Sequence, residues 1–340
     1  MIKNFWSFLL LVACVAALSA CGGAEESSES GGAEEGGGDV LQIDLATVFE
    51  DEAAHTKGAA MFAELVNEYS EGSIEVTLFT NGALGSEREN FEAVRSGDLD
   101  MTLGGFTGVD MYAPEYMFMG APFLFEDMAH MEKVIKGELG DQMFEKMAEN
   151  NIQVIGTIMR GERNMTANIP VRTPEDVQGL NLRLPELEAW VAGWAAMGAS
   201  PTAVALPELY GALQTGVADA SEGPYEQIAT FKLNEVQDYV INTGHIKEAS
   251  FIWMNGDLWN SLTDEQRDIV ERASEEAVAF ADEQAASDDE RFLNELIDAG
   301  MEFVEVDKEA FTRVGEEALQ EFFETQWTVT TFEEVRSYLE

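Results

Sequence analysis

Residues 40–106 alternate two periodicities, and that alternation restricts the fold more than any other property of the chain. VLQIDLATVF (40–49) alternates apolar side chains as a strand does. EDEAAHTKGAAMFAELVNEYSEG (50–72) then sets Ala59, Phe62, Val66 and Tyr69 on one helical face and closes at Gly72. SIEVTLFT is a second strand, NGALGS a turn, ERENFEAVRSG a short helix, and DLDMTLGGF a third strand running into Gly104-Gly105. Strand, helix, strand, helix, strand predicts an α/β domain with parallel strands. Such sheets bind ligands at the carboxyl ends of their strands, here Phe49–Asp51, Asn81–Gly82 and Gly104–Phe106.

A second α/β unit follows from VRTPEDVQGLNLRLP (171–185). LNLRLP reads as a strand carrying Arg183, ELEAWVAGWAAMG as a helix, SPTAVAL as a strand, PELYGALQTG as a helix, and VADASEG as a strand stopped by Gly223-Pro224. The Met- and Phe-rich run MYAPEYMFMGAPFLF (111–125) is expected to pack between two lobes. A long helix is expected from about Thr263, able to straddle both lobes, and 340 residues suit two domains. His130 falls in an amphipathic helix and is expected on its surface face.

The formal charge of −46, from 65 acidic against 19 basic residues, argues against a nucleic-acid partner, which needs an excess of Lys and Arg. It suits a solvated surface in high salt, where ions screen self-repulsion. At the N-terminus, Lys3 precedes FWSFLLLVACVAALSA, too short for a comfortable membrane span and patterned as a secretory signal. Leu18-Ser19-Ala20-Cys21 resembles a bacterial lipobox, which implies cleavage before Cys21 and lipid on its sulfur. GGAEESSESGGAEEGGGD (22–39) lacks the side chains to bury anything and is expected to be a flexible tether. The expected organisation is a signal over 1–20, lipidated Cys21 and tether over 21–39, and a body displayed on the outer face of a membrane.

No catalytic motif accompanies this body: there is no GxSxG, HExxH, P-loop or GxGxxG after a first strand. Removal of Cys14 with the signal and lipidation of Cys21 leave no thiol for catalysis or metal binding. The acidic clusters lack hard-cation loop spacing. The chain therefore reads as a non-enzyme with neither metal nor cofactor. Arg163 and Arg183 stand out, because each sits where a strand-like segment ends among apolar neighbours. A buried guanidinium must find a counter-charge, either a ligand carboxylate or an internal acid such as Glu162, Glu186 or Glu222. Residue chemistry alone leaves both options open.

Several runs together resemble the periplasmic solute-binding proteins of TRAP transporters. They are Leu84–Glu89 (LGSERE), Gly97–Asp100 (GDLD), Arg163 with Thr166, Val171–Asp176 (VRTPED), Gly179–Pro185 (GLNLRLP), Gly198–Thr202 (GASPT) and Leu206–Asp219 (LPELYGALQTGVAD). The resemblance covers nearly all of the chain after residue 39. It implies an α/β, two-lobed clamshell with a long helix straddling the lobes. Residues 40–160 with 249–288 would form lobe I, and 161–248 with 289–340 lobe II. It implies a small organic-acid ligand, held bidentately by Arg183 with help from Arg163, and delivery to the membrane subunits of a TRAP transporter. Further contacts are implied at Glu50, His55, Gly105, Phe106, Pro185, Leu206 and Glu222. Many members carry Glu-Asn-Pro where this chain has Glu222-Gly223-Pro224, so either the Gly223 backbone, Arg163 or Tyr225 is expected to replace the missing amide, or the ligand head sits differently. Leu206 is not the stacking aromatic of ectoine-type relatives, which disfavours ectoine. A sensory lipoprotein using the same clamshell is the alternative reading.

Overall fold

The computed structural model describes residues 40–339; Cys21, the signal and the tether lie outside them. The N-terminal part runs β1 (Leu41–Thr47), α1 (Ala54–Tyr69), β2 (Ile74–Phe79), α2 (Glu87–Ser96), β3 (Met101–Gly104), α3 (Thr107–Tyr112), α4 (Met128–Ile135) and α5 (Glu138–Glu149). Then come β4 (Ile152–Ala167), β5 (Asn181–Leu184), α6 (Glu188–Ala196), β6 (Ser200–Ala203), α7 (Leu209–Thr215), β7 (Ala220–Gly223), α8 (Tyr225–Thr230) and β8 (Tyr239–Asn255). The chain closes with α9 (Gly256–Ser261), α10 (Asp264–Asp298), β9 (Glu302–Glu305), α11 (Lys308–Thr325) and α12 (Phe332–Ser337). The α/β class and the parallel pairing of β1 with β2 and β3 are as the alternation predicts.

Two long strands join the lobes. The sheet order is β2-β1-β3-β8-β4-β7-β5-β6, with β9 on β8. β3 pairs with the C-terminal half of β8, Phe251 to Met254, whereas β9 pairs with its N-terminal end, Tyr239 to Asn242. β7 pairs with Asn164–Ala167 of β4 and continues in parallel to β5 and β6. β4 and β8 therefore pass from one lobe to the other as an antiparallel pair, with register shifts between Val154/Gly156, Met159/Gly161 and Arg163/Met165. Gly161 has φ +108°, a value that L side chains rarely adopt, and it sits in the middle of this ribbon.

The continuity of β4 corrects the sequence reading of Arg163. The strand does not stop near Arg160; Gly161 is absorbed as an irregularity, because β8 supplies hydrogen-bonding partners along its whole length. Arg163 is thus a mid-strand residue. Arg183 is the third of the four residues of β5, close to its carboxyl end as expected.

α10 straddles the lobes. Its start is built by Thr263, whose side chain accepts from Gln266 N while the Gln266 side chain caps Thr263 N, followed by acidic Asp264 and Glu265. Ala273, Ala277 and Ala281 pack with Phe62 and Val66 of α1, and Phe292 and Leu296 pack with Tyr225 and Ile228 of α8. The run 111–125 folds as the end of α3 and a 3₁₀ turn, and Phe118, Met119 and Leu124 join a core that also holds Trp190 and Trp194. His130 is buried, not on the surface, because α12 covers α4 there: His130 Nε2 lies 2.9 Å from Val335 O.

Candidate ligand-binding site

The two halves of the β4–β8 ribbon and the loops around it line a cavity. Phe49, Phe106, Pro185, Leu187, Trp190 and Leu206 form its apolar wall. Glu87, Thr107, Arg160, Arg163, Arg183, Gln227 and Glu248 supply its polar groups. Of the residues expected from the sequence, Arg183, Arg163, Gly105, Phe106, Pro185 and Leu206 are brought together here.

The arginines are not equivalent. Arg163 gives Nε and Nη2 to the Glu222 carboxylate, Nη2 also to Glu222 O, and Nη1 to both oxygens of Glu248 at 2.8 and 2.7 Å. Its stem lies under Trp190, with the guanidinium carbon 4.8 Å from the ring centroid. Burial works against this charge, but the Glu222 and Glu248 carboxylates outweigh burial and hold Arg163 above the ordinary arginine range. Arg160 pairs with Glu248 at 3.1 Å, donates to Gln227 Oε1 at 3.3 Å, and sits 4.4 Å over Phe49. For these two, an internal acid is the partner.

Arg183 has no such partner. Its side chain is 1% exposed, and Nε and Nη2 donate only to Val204 O, at 2.9 and 2.6 Å. Among the described residues no carboxylate lies within ion-pair distance of it. Burial, with Arg163 nearby, pushes its pKa down to about 10, against weaker support from Glu222 and Glu87. The group stays cationic at neutral pH, yet its charge is poorly compensated. A guanidinium in this state is a ready receptor for a carboxylate.

Five expected contacts lie elsewhere. Glu50 lines a separate surface hollow with Asn81 and Lys232, because the chain after β1 turns outward there. His55 is buried behind Phe49, edge-on to its ring at 4.3 Å, with Nδ1 3.4 Å from Glu226 Oε2. Glu222 has no exposure and is engaged by Arg163 and by His245 Nε2 at 3.2 Å. Tyr225 turns its hydroxyl toward Asn242 Oδ1, 3.4 Å away, and packs with the α8–α10 cluster. Gly223 lies within β7 and does not line the cavity; a β-carbon there would meet Gln227 Nε2 at 2.4 Å. The Gln227 side chain fills the space that a larger residue at 223 would take, and Gln227 brings an amide to the cavity wall.

Glu87, Thr107, Arg160, Gln227 and Glu248 are the polar groups of the cavity that sequence reading did not place there. Glu87 opens α2 behind the Ser86 cap and accepts from Gly105 N and the Thr107 hydroxyl. Glu248 had a detectable signal: it is a lone acid within the apolar strand IKEASFIWM, where burial demands a cation.

A two-lobed α/β fold whose inter-lobe cavity presents an uncompensated arginine defines a solute-binding protein. Residues 45–326 match the bacterial extracellular solute-binding proteins of family 7, and the chain belongs to that family. A solute-binding protein of Roseobacter denitrificans is 30% identical over 283 residues, spanning 82% of this chain and 86% of the relative. The C4-dicarboxylate-binding periplasmic protein of Rhodobacter capsulatus is 31% identical over 261 residues, spanning 76% and 78%. In structure, the chain is similar to a TRAP periplasmic solute-binding protein from Roseobacter denitrificans with bound L-galactonate, at TM-score 0.82 and 28% identity over 88% of this chain and 99% of that one. The family read from residues 179–219 is thus the family found.

Proposed function

We propose that this protein captures an organic acid between its lobes, seats the carboxylate on Arg183, and delivers it to the membrane subunits of a TRAP transporter. The observation that carries this reading is the buried Arg183 guanidinium, whose only acceptor among the described residues is a backbone carbonyl. A ligand carboxylate would supply the missing counter-charge through a charge-assisted bidentate pair contributing roughly 1.5–3 kcal/mol. Gln227 would supply an amide to the ligand from the cavity wall. Closure would bend the β4–β8 ribbon near Gly161 and Glu248, giving lobes 40–160 with 249–288 and 161–248 with 289–340. Binding closes the lobes because the ligand makes better contacts in the closed state. No catalysis is involved in this account.

The relatives support the ligand class: the Roseobacter denitrificans structure holds L-galactonate, and a Polaromonas homologue at 26% identity and TM-score 0.83 holds D-erythronate. Tethering through lipidated Cys21 belongs to the same proposal and rests on the Leu18–Cys21 pattern. Cys21→Ser should then move the protein from the membrane fraction into solution. A thermal-shift screen against organic acids at high salt tests the ligand class, since a ligand of the native state raises the melting temperature by mass action. Shifts with carboxylates are expected; shifts confined to neutral sugars or peptides would contradict the proposal.

A further inference from the structure

Glu87 is the counterpart of Arg183: it lines the same cavity and, among the described residues, has no cation within ion-pair distance. Its acceptor bonds come from the Gly105 amide and the Thr107 hydroxyl, both neutral donors. Glu248 converges on the same spot. A β-carbon on Gly105 would lie 3.7 Å from Glu248 Oε1 and 3.8 Å from Glu87 Oε1. Glu248 and Glu222 together balance the charges of Arg160 and Arg163, although the buried Arg160 Nε has no hydrogen-bond partner among the described residues. The cavity thus has one cation free to receive an anion and, near Gly105, a wall of carboxylate oxygen.

Resting on the organic-acid reading above, we propose that Glu87 determines specificity: it accepts hydrogen bonds from ligand hydroxyls and rejects a second carboxylate, selecting polyhydroxylated monocarboxylic acids. A ligand with one carboxylate on Arg183 neutralises the one cavity cation that, among the described residues, has no carboxylate within ion-pair distance. A second carboxylate finds no cation left to pair with and meets the oxygens of Glu87 and Glu248. Hydroxyls offer the neutral donors that a carboxylate already bonded to Gly105 and Thr107 can still accept. The like charge acts against the wrong ligand, while the hydroxyl hydrogen bonds favour the right one.

Matched acids that differ at one end isolate the effect. Calorimetric titration would compare D-erythronate with meso-tartrate, and L-galactonate with galactarate, each pair exchanging a terminal hydroxymethyl for a carboxylate. The wild type should bind a monoacid at least about tenfold more tightly than its diacid, and Glu87→Gln, which keeps the shape and removes the charge, should narrow that ratio by about tenfold or more, one such factor being about 1.4 kcal/mol. Diacids binding the wild type as tightly as the monoacids would overturn the proposal, as would an unchanged ratio in Glu87→Gln. Tighter binding of 4-aminobutyrate than of the monoacids would overturn it too, by making Glu87 an ammonium receptor. If Glu87→Gln does not fold, the wild-type ratio decides alone. Binding of none of these acids would instead defeat the organic-acid reading, and this proposal with it.

Discussion

Arg163 and Arg183 share a residue type and a cavity, yet opposite stabilities follow from removing them. Arg163→Met would strand Glu222 and much of Glu248 in the interior, and losing one member of a buried pair costs about 3–5 kcal/mol. Arg183→Met removes a charge that is already under-compensated, so unligated stability should fall by less than about 1 kcal/mol or rise. Chemical denaturation of the two variants without ligand checks this contrast, and equal losses would contradict it. Glu222 gives a pH prediction. Burial opposes its ionisation, but Arg163 and His245 hold it at about 2 in the folded protein, below the unfolded value near about 4.3. Its stabilisation is therefore complete above that unfolded value and is lost as pH falls toward 2. The stability difference between wild type and Glu222→Gln, measured at high salt, should shrink between pH 6 and pH 3. A constant difference would count against the assignment. Arg183 was legible because a charge in a short apolar strand is conspicuous. Gln227 was not, since its role depends on the empty space above Gly223, which only the packing reveals.

At the scale of elements, the alternation of periodicities located β1, α1, β2, α2 and β3 because each has its own clear repeat. The ribbon was harder. β4 and β8 run 16 and 17 residues through glycines that normally punctuate; pairing with Glu248 carries β4 across Gly161, while β8 leaves the register at Gly244, whose amide donates to Asn164 Oδ1. His130 was misplaced for a similar reason, because the helix that covers it comes 205 residues later. α10 was legible from its cap. Thr263→Ala breaks a reciprocal cap and should cost about 0.5–2 kcal/mol, lowering the melting temperature by a few degrees. No change in melting temperature would show that tertiary packing with α1 and α8 fixes that end without the cap.

Across the whole molecule, a formal charge of −46 sets conditions that no single contact changes. Self-repulsion among surface carboxylates is screened by salt, so the melting temperature should rise from about 0.1 to 1 M sodium chloride as the Debye length falls from about 10 to 3 Å. A flat profile would assign the charge no role in stability. The exposed Arg88–Glu186 pair joins α2 to the chain after β5 at 3.2 Å, and as a surface pair it contributes about 0–1 kcal/mol. Closure is therefore assigned to the buried cavity and not to this rim. The central claim is that a ligand carboxylate completes Arg183, and calorimetric titration of wild type and Arg183→Met with L-galactonate and D-erythronate tests it most directly. The account predicts binding by the wild type and a loss of at least about tenfold to a hundredfold in the variant, with its unligated melting temperature maintained. Undiminished binding by a folded Arg183→Met protein would contradict it.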